Sequence, residues 1–212
     1  MIHKLKLAII GGTGKSGKYV VETLLKQGFN LRLLLRNPQN FWVNSPLIEI
    51  VKGDARDSEA VRTLVDGCGA VISTVGQPRG EKSIFSQATT NVLNAMSQFG
   101  VERYIVTTGL NVDTPSDQKG PKTEMATDWM KSNYPETTRD KQVEFEILSK
   151  SDVNWTLVRL PLIEQTDERR GAIVSLNDCP GDKISSTDLA HFLMEQLSDK
   201  TYSRKSPFIA NA

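Results

Sequence analysis

Short apolar runs that stop at glycine alternate along this chain with stretches whose apolar residues recur every three to four positions. Lys6-Leu7-Ala8-Ile9-Ile10 ends on glycines and reads as a buried parallel strand. Gly17, Val20, Val21, Leu24 and Leu25 then fall at i, i+3, i+4, i+7 and i+8, one helical stripe, with Gly28 as its stop. Leu31 to Leu35 and Leu47 to Val51 read as the second and third strands. Asp57-Ser58 opens a helix with Val61, Leu64 and Val65 on one face, closed by Gly67, before a fourth strand from Ala70 to Val75. Phe85, Ala88, Val92, Ala95, Met96 and Phe99 make another helical stripe that ends at Gly100. Arg103 to Thr107 is the fifth strand.

Strands that alternate with helices in this way predict an α/β chain, because parallel neighbours need crossover connections of a dozen or more residues. The second half is less regular. Residues 110–140 are polar and predict a loop with a short helix over the carboxyl edge of the sheet. Lys141 to Lys150 reads as helix with Val143, Ile147 and Leu148 inward, and Trp155 to Leu160 as a sixth strand. Ala172 to Leu176 suits a small β element, and Ser185 or Ser186 before Asp188 caps a helix carrying Leu189, Phe192, Leu193 and Leu197. No repeat or linker divides the chain, so 1–212 is expected to be one domain. Its core would span about 1–160, with substrate-covering segments at about 110–140 and 161–185.

Composition removes several function classes. In 212 residues, 26 Lys+Arg oppose 25 Asp+Glu, a net charge of +1 that gives no field to hold nucleic acid or an anionic membrane. Near the start the longest uncharged apolar run is Leu7 to Ile10, far short of the roughly 20 residues that cross a bilayer. Met1-Ile2-His3-Lys4 is basic but has no adequate apolar region or cleavage site behind it, so a cytoplasmic protein is expected. Cys68 and Cys179 are the only cysteines, and with two histidines a disulfide framework or a resident metal is not expected.

The chemistry sits between the first strand and the first helix. Gly11-Gly12-Thr13-Gly14-Lys15-Ser16-Gly17 satisfies GxGxxG and GxxGxxG, with the strand before and the amphipathic helix after that such a pattern requires. Glycines there permit a tight turn and let the backbone approach a pyrophosphate, whose charge meets free N–H groups and the positive end of the helix dipole. The fold class is therefore a Rossmann-type, doubly wound, mostly parallel sheet with helices on both faces and a small carboxyl-terminal substrate lobe. A nucleoside triphosphatase loop fails in both registers: one needs glycine where Ile9 stands, the other a hydroxyl where Tyr19 stands. At the end of the second strand Arg36, rather than an acid, points to a 2′-phosphate and hence to NADP(H) over NAD(H). It would otherwise be an ordinary surface arginine. Asp54 is placed to accept from the adenine amino group and Ala55 to pack on the ring, unless Asp54 only caps a helix. Thr74, Val75 and Gly76 end the fourth strand beside the pyrophosphate and the nicotinamide ribose.

With Val71 to Gly76 and Trp155-Thr156-Leu157-Val158-Arg159-Leu160-Pro161, these motifs resemble an atypical short-chain dehydrogenase/reductase. The likeness is to the NADPH-dependent flavin reductase/biliverdin reductase B type within the NmrA-like, NAD(P)H-binding group. Gly171 to Leu176 and Ile184 to Phe192 extend it almost end to end. The resemblance implies that Thr107, Thr108, Pro161 and Leu162 lie beside the nicotinamide. It also exposes losses. No tyrosine stands four residues before a lysine: Lys141 has Thr137 in that place and reads as a solvated helix residue. The serine and histidine that the family carries after the fifth-strand threonine and the sixth-strand proline are here Gly109 and Leu162. Thr108 remains as the catalytic candidate, with strand capping as its other reading. A missing general acid matters least for a planar conjugated acceptor such as a flavin, quinone or bilin, which delocalises the incoming electron pair. Val112, Trp129, Met130 and Leu162 would line the acceptor pocket. The sequence thus supports an NADPH-dependent oxidoreductase acting on a small molecule, for which the resemblance alone implies a monomer, and leaves open a non-catalytic NADP(H)-binding redox sensor.

Overall fold

The computed structural model describes residues 5–78 and 80–211. Residues 1–4, on which the reading of the basic start depends, lie outside the described residues, as do Arg79 and Ala212. Six parallel strands form most of one sheet: β1 (Lys6–Ile10), β2 (Asn30–Leu35), β3 (Ile48–Lys52), β4 (Ala70–Ser73), β5 (Arg103–Gly109) and β6 (Asn154–Leu160). β10 (Phe208–Ala210) continues it parallel to β6, and β8 (Ile173–Ser175) closes it antiparallel to β10. The order is β3-β2-β1-β4-β5-β6-β10-β8, while β7 (Leu162–Glu164) and β9 (Lys183–Ser185) pair as a separate two-stranded sheet. Strand order reverses between β1 and β4, and at that switch point the carboxyl ends of a doubly wound sheet open a crevice. The Rossmann-type expectation is met.

Both faces of the sheet are covered because its strands are apolar on both sides. α1 (Gly17–Lys26) and α6 (Ser186–Glu195) pack on one face, where Val20, Val21, Leu24, Leu189 and Leu193 meet Leu7, Ile9, Leu31 and Ile105. α2 (Ser58–Val65), α3 (Phe85–Phe99) and α5 (Pro135–Lys150) cover the other, with Val61, Leu64, Val92, Met96 and Leu148 against Ala8, Val71 and Val106. Local signals act where the pattern predicted them. The Asp57 carboxylate accepts from Glu59 N and Ala60 N at the start of α2, Ser185 Oγ accepts from Thr187 N and Asp188 N at the start of α6, and Gly100 ends α3 in the left-handed conformation.

Three expectations are corrected. Residues 110–140 hold more helix than a loop with a short helix: after the loop at 110–120 come α4 (Pro121–Asn133) and the first turns of α5, each begun by a proline in its first turn. Up to residue 140 these helices bury only the threonines Thr123, Thr127 and Thr138, so no apolar stripe marks them. In α5 the inward positions are Glu144 and Leu148, whereas Val143 faces solvent. The fourth strand leaves its ladder at Ser73, so that Thr74, Val75 and Gly76 turn into the crevice.

Candidate functional site

One cavity of about 1240 Å³ runs along the carboxyl edge of the sheet, from the glycine turn to α4 and β7. At its first end the turn is fixed by Gly14 N donating to Gly11 O at 2.9 Å and by Thr74 Oγ1 donating to the same carbonyl at 3.3 Å. Gly11 has φ +80°, and a β-carbon there would come within 2.7 Å of Val75 N. A β-carbon on Gly17 would strike the Gly11 carbonyl and lie 2.8 Å from Thr74 Oγ1. The two glycines let β1, the turn and β4 close to one thickness of backbone, and α1 begins at once with its amino terminus toward the cavity. Gly14, Lys15 and Ser16 line the wall, and Thr13 is exposed beside them.

At the other end the cavity is bounded by polar groups on β5 and by apolar side chains on α4 and β7. Thr107 Oγ1 donates to Ser73 O at 3.5 Å and is satisfied by the sheet. Thr108 is 5% exposed, and its hydroxyl has no protein partner among the described residues. Three residues on, Asn111 is 2% exposed with both side-chain atoms likewise unpartnered. Lys141, on α5, reaches the same wall with its ammonium 4.9 Å from the centre of the Phe85 ring. Burial holds its pKa below the ordinary lysine range, opposed by the charge of Glu144 one turn further along α5. Glu144 is itself buried, which raises its pKa to about 7 against the hydrogen bond that Thr89 Oγ1 donates to it at 2.7 Å. Opposite, Met125, Trp129 and Leu162 form an exposed apolar rim, with Trp129 edge-on to Tyr134 at 5.7 Å.

A third group lies beyond the end of β2. Arg36 Nη1 is 2.8 Å from Glu81 Oε1 and 3.9 Å from Asp54 Oδ2, and Arg56 Nη1 meets the second Glu81 oxygen at 2.9 Å. Asp54 Oδ1 accepts from Arg56 N at 2.9 Å, so it organises this turn, while Asp57 caps α2. Ala55 is 4% exposed and its side chain belongs to the core cluster.

Of the residues singled out from the sequence, Gly14, Lys15, Ser16, Thr74, Val75, Gly76, Thr107, Thr108, Pro161 and Leu162 line the one cavity. Gly11 and Gly17 shape it from behind, and Arg36 and Asp54 sit together outside it. The reading of Lys141 as a solvated helix residue is corrected by its place on the wall. Asn111 and Glu144 carry no signal in the sequence: Asn111 sits in a polar loop, and the apolar spacing of α5 points to Val143, one position before Glu144.

The NAD(P)H-binding family model matches residues 11–200. The chain belongs to this NAD(P)H-binding family, as the sequence resemblance implied. Among curated proteins, an isoflavone reductase homolog of Nicotiana glauca is 34% identical over 126 residues, 52% of this chain and 37% of that protein. Eugenol synthase 1 of Petunia hybrida is 36% identical over 88 residues, 36% of this chain and 28% of that one. The matched stretches thus span about a third of the length of these relatives. Among solved structures, a short-chain dehydrogenase/reductase of Veillonella parvula in complex with NADP superimposes with a TM-score of 0.80 at 14% identity, over 98% of this chain and 94% of that one. The anaerobillin reductase ChuY of Escherichia coli O157:H7 gives 0.78 at 18% identity, over 97% of each chain. Both likenesses are of fold. Among the described residues no helix is long and apolar enough to cross a membrane.

Proposed function

We propose that the chain is an NADPH-dependent reductase that passes hydride to a planar conjugated acceptor. The observation that carries this reading is one continuous cavity that joins a glycine turn shaped for a diphosphate to an apolar slot floored by Thr108, Asn111 and Lys141. The turn fits the dinucleotide: Gly11 and Gly17 leave room for backbone where any side chain would fill it. A nicotinamide dinucleotide supplies the hydride.

The residues of the chain bind, orient and handle the proton. The Gly11–Gly17 turn and the amino terminus of α1 meet the diphosphate charge. Arg36 meets the 2′-phosphate and exchanges Glu81 for it, a charge-assisted contact worth on the order of 1.5–3 kcal/mol. Thr74, Val75, Gly76 and Pro161 keep water from the nicotinamide half, while Met125, Trp129 and Leu162 cover the acceptor. Lys141, its pKa lowered by burial, holds a proton at Nζ that it can release to the reduced acceptor. ChuY, of the same fold, is named as an anaerobillin reductase, which suits a bilin among the acceptors considered. The domain reading also stands as a proposal: 1–212 as one NAD(P)-binding domain, with α4 and the 161–185 segment as the acceptor-covering part.

The test follows NADPH and NADH consumption with riboflavin, biliverdin and small quinones. The reading expects turnover well above the uncatalysed rate with at least one acceptor. Lys141→Met should cut kcat by about 10- to 100-fold, less than the loss of a general acid costs on a simple carbonyl, with the alkaline limb of the wild-type pH profile lying below the usual lysine range. Arg36→Ala should lower the NADPH:NADH preference by roughly 10- to 100-fold. NADPH binding without turnover on any acceptor overturns the reductase and favours the redox sensor.

A further inference from the structure

Asn111 is the polar side chain in the cavity wall whose state the chemistry so far does not explain. β5 ends at Gly109, and the next turn is pinned by Leu110 N donating to Leu160 O at 3.0 Å and Val112 N donating to Gly109 O at 3.3 Å. Asn111 is held in that turn, 2% exposed, on the wall of the cavity, with Nδ2 and Oδ1 lacking partners among the described residues. A buried amide with neither hydrogen bond made is costly to keep unless a ligand completes it. Gly109 has no side chain, and the space its β-carbon would take is held by Asn111 Oδ1 and, at 3.2 Å, by Lys141 Nζ. The Thr108 hydroxyl beside them is unpartnered too.

These groups define a pattern. Whichever way its amide is turned, Asn111 presents one acceptor and one donor side by side, and Lys141 is donor only. A hydrocarbon edge satisfies none of them. A quinone carbonyl takes the donors and leaves the amide oxygen bare, and a carboxylate sets its charge against that oxygen. A cyclic amide, with C=O next to N–H, answers both atoms of Asn111 and offers its carbonyl oxygen to Lys141. We infer that Asn111, with Lys141, reads a lactam or imide edge on the acceptor. The inference rests on the reductase reading and narrows it to acceptors that carry such an edge, flavins and bilins over quinones.

Equilibrium binding to the full chain saturated with NADP⁺ tests this without turnover, using lumiflavin, 3-methyllumiflavin, whose imide N–H is blocked, and biliverdin. The wild-type protein should bind lumiflavin about 10- to 100-fold more tightly than its 3-methyl analogue. In Asn111→Leu, near in size, that ratio should fall below about threefold, with lumiflavin weakened and NADPH affinity kept as the sign of an intact fold. Asn111→Ala should behave alike, which covers the case that leucine misfolds. Equal wild-type affinity for the two flavins, an unchanged ratio in both variants, or saturable binding of neither lumiflavin nor biliverdin overturns the inference. Discrimination between the flavins with no NADPH consumption on any acceptor overturns the reductase reading alone.

Discussion

Residues 6–109 and residues 110–211 meet at one cleft, yet they are held together differently. In the first part, strands such as Leu7 to Ile10 and Ala70 to Ile72 are buried aliphatic runs, and their helices return apolar stripes to them. In the second, a guanidinium with no exposed surface does comparable work. Arg159 donates to Ser206 O at 2.9 Å, Val112 O at 3.1 Å and Asp117 Oδ1 at 2.6 Å, and it lies 3.5 Å from the centre of the Phe208 ring. It ties the loop after β5 to β6 and β10. Glu144 similarly joins α5 to α3 through Thr89, whose hydroxyl is 3.2 Å from the Tyr104 hydroxyl on β5. A cofactor turn can be set by local backbone rules, whereas the acceptor wall is assembled from side chains distant in sequence.

The largest expected effect breaks the first part at its tightest point. Gly17→Ala drives a methyl group into the Gly11 carbonyl, so NADPH affinity should fall by at least about 100-fold in a titration, because the turn can no longer approach a diphosphate. Next, Arg159→Met takes the guanidinium from Asp117 and from the Val112, Leu176 and Ser206 carbonyls, of which Asp117 keeps Thr114 and Val112 O keeps Lys119. It should cost about 3–5 kcal/mol in denaturant unfolding, against less than 1 kcal/mol for the exposed Lys122→Met, whose partner is Asp182.

Glu144 gives a smaller, pH-dependent effect. Burial raises its folded pKa to about 7, above the 4.5 of an ordinary glutamate, so the folded state holds its proton more tightly than the unfolded chain. That contribution is fully present below pH 4.5 and is lost as pH rises through about 7. Glu144→Gln should therefore remove a decline of about 3 kcal/mol across that window, measured as unfolding free energy against pH. Equal slopes in the two proteins would leave this buried carboxyl outside the account.

The same contrast explains what could be read from the sequence. Strands β1 to β6, four of the helices on them and the turn at Gly11–Gly17 were legible because each is written locally: an apolar run, a stripe, a cap or a glycine stop. α4 and the start of α5 were not, since helices at the sheet edge bury threonines rather than an aliphatic stripe, and only Pro121 and Pro135 mark their beginnings. β10 is three residues long and is placed by pairing with β6 and β8. Lys141 looked like an exposed cation because nothing local states that Gly109 makes room for its ammonium. Asn111 was hidden for the same reason.

A fluorescence titration of the purified chain with NADPH, and in parallel with NADH, tests the central claim most directly. Saturable binding of NADPH, stronger than that of NADH and lost in Gly17→Ala, is the predicted result. Absence of saturable binding for either reduced nucleotide, or affinity indifferent to Gly17→Ala, would contradict it.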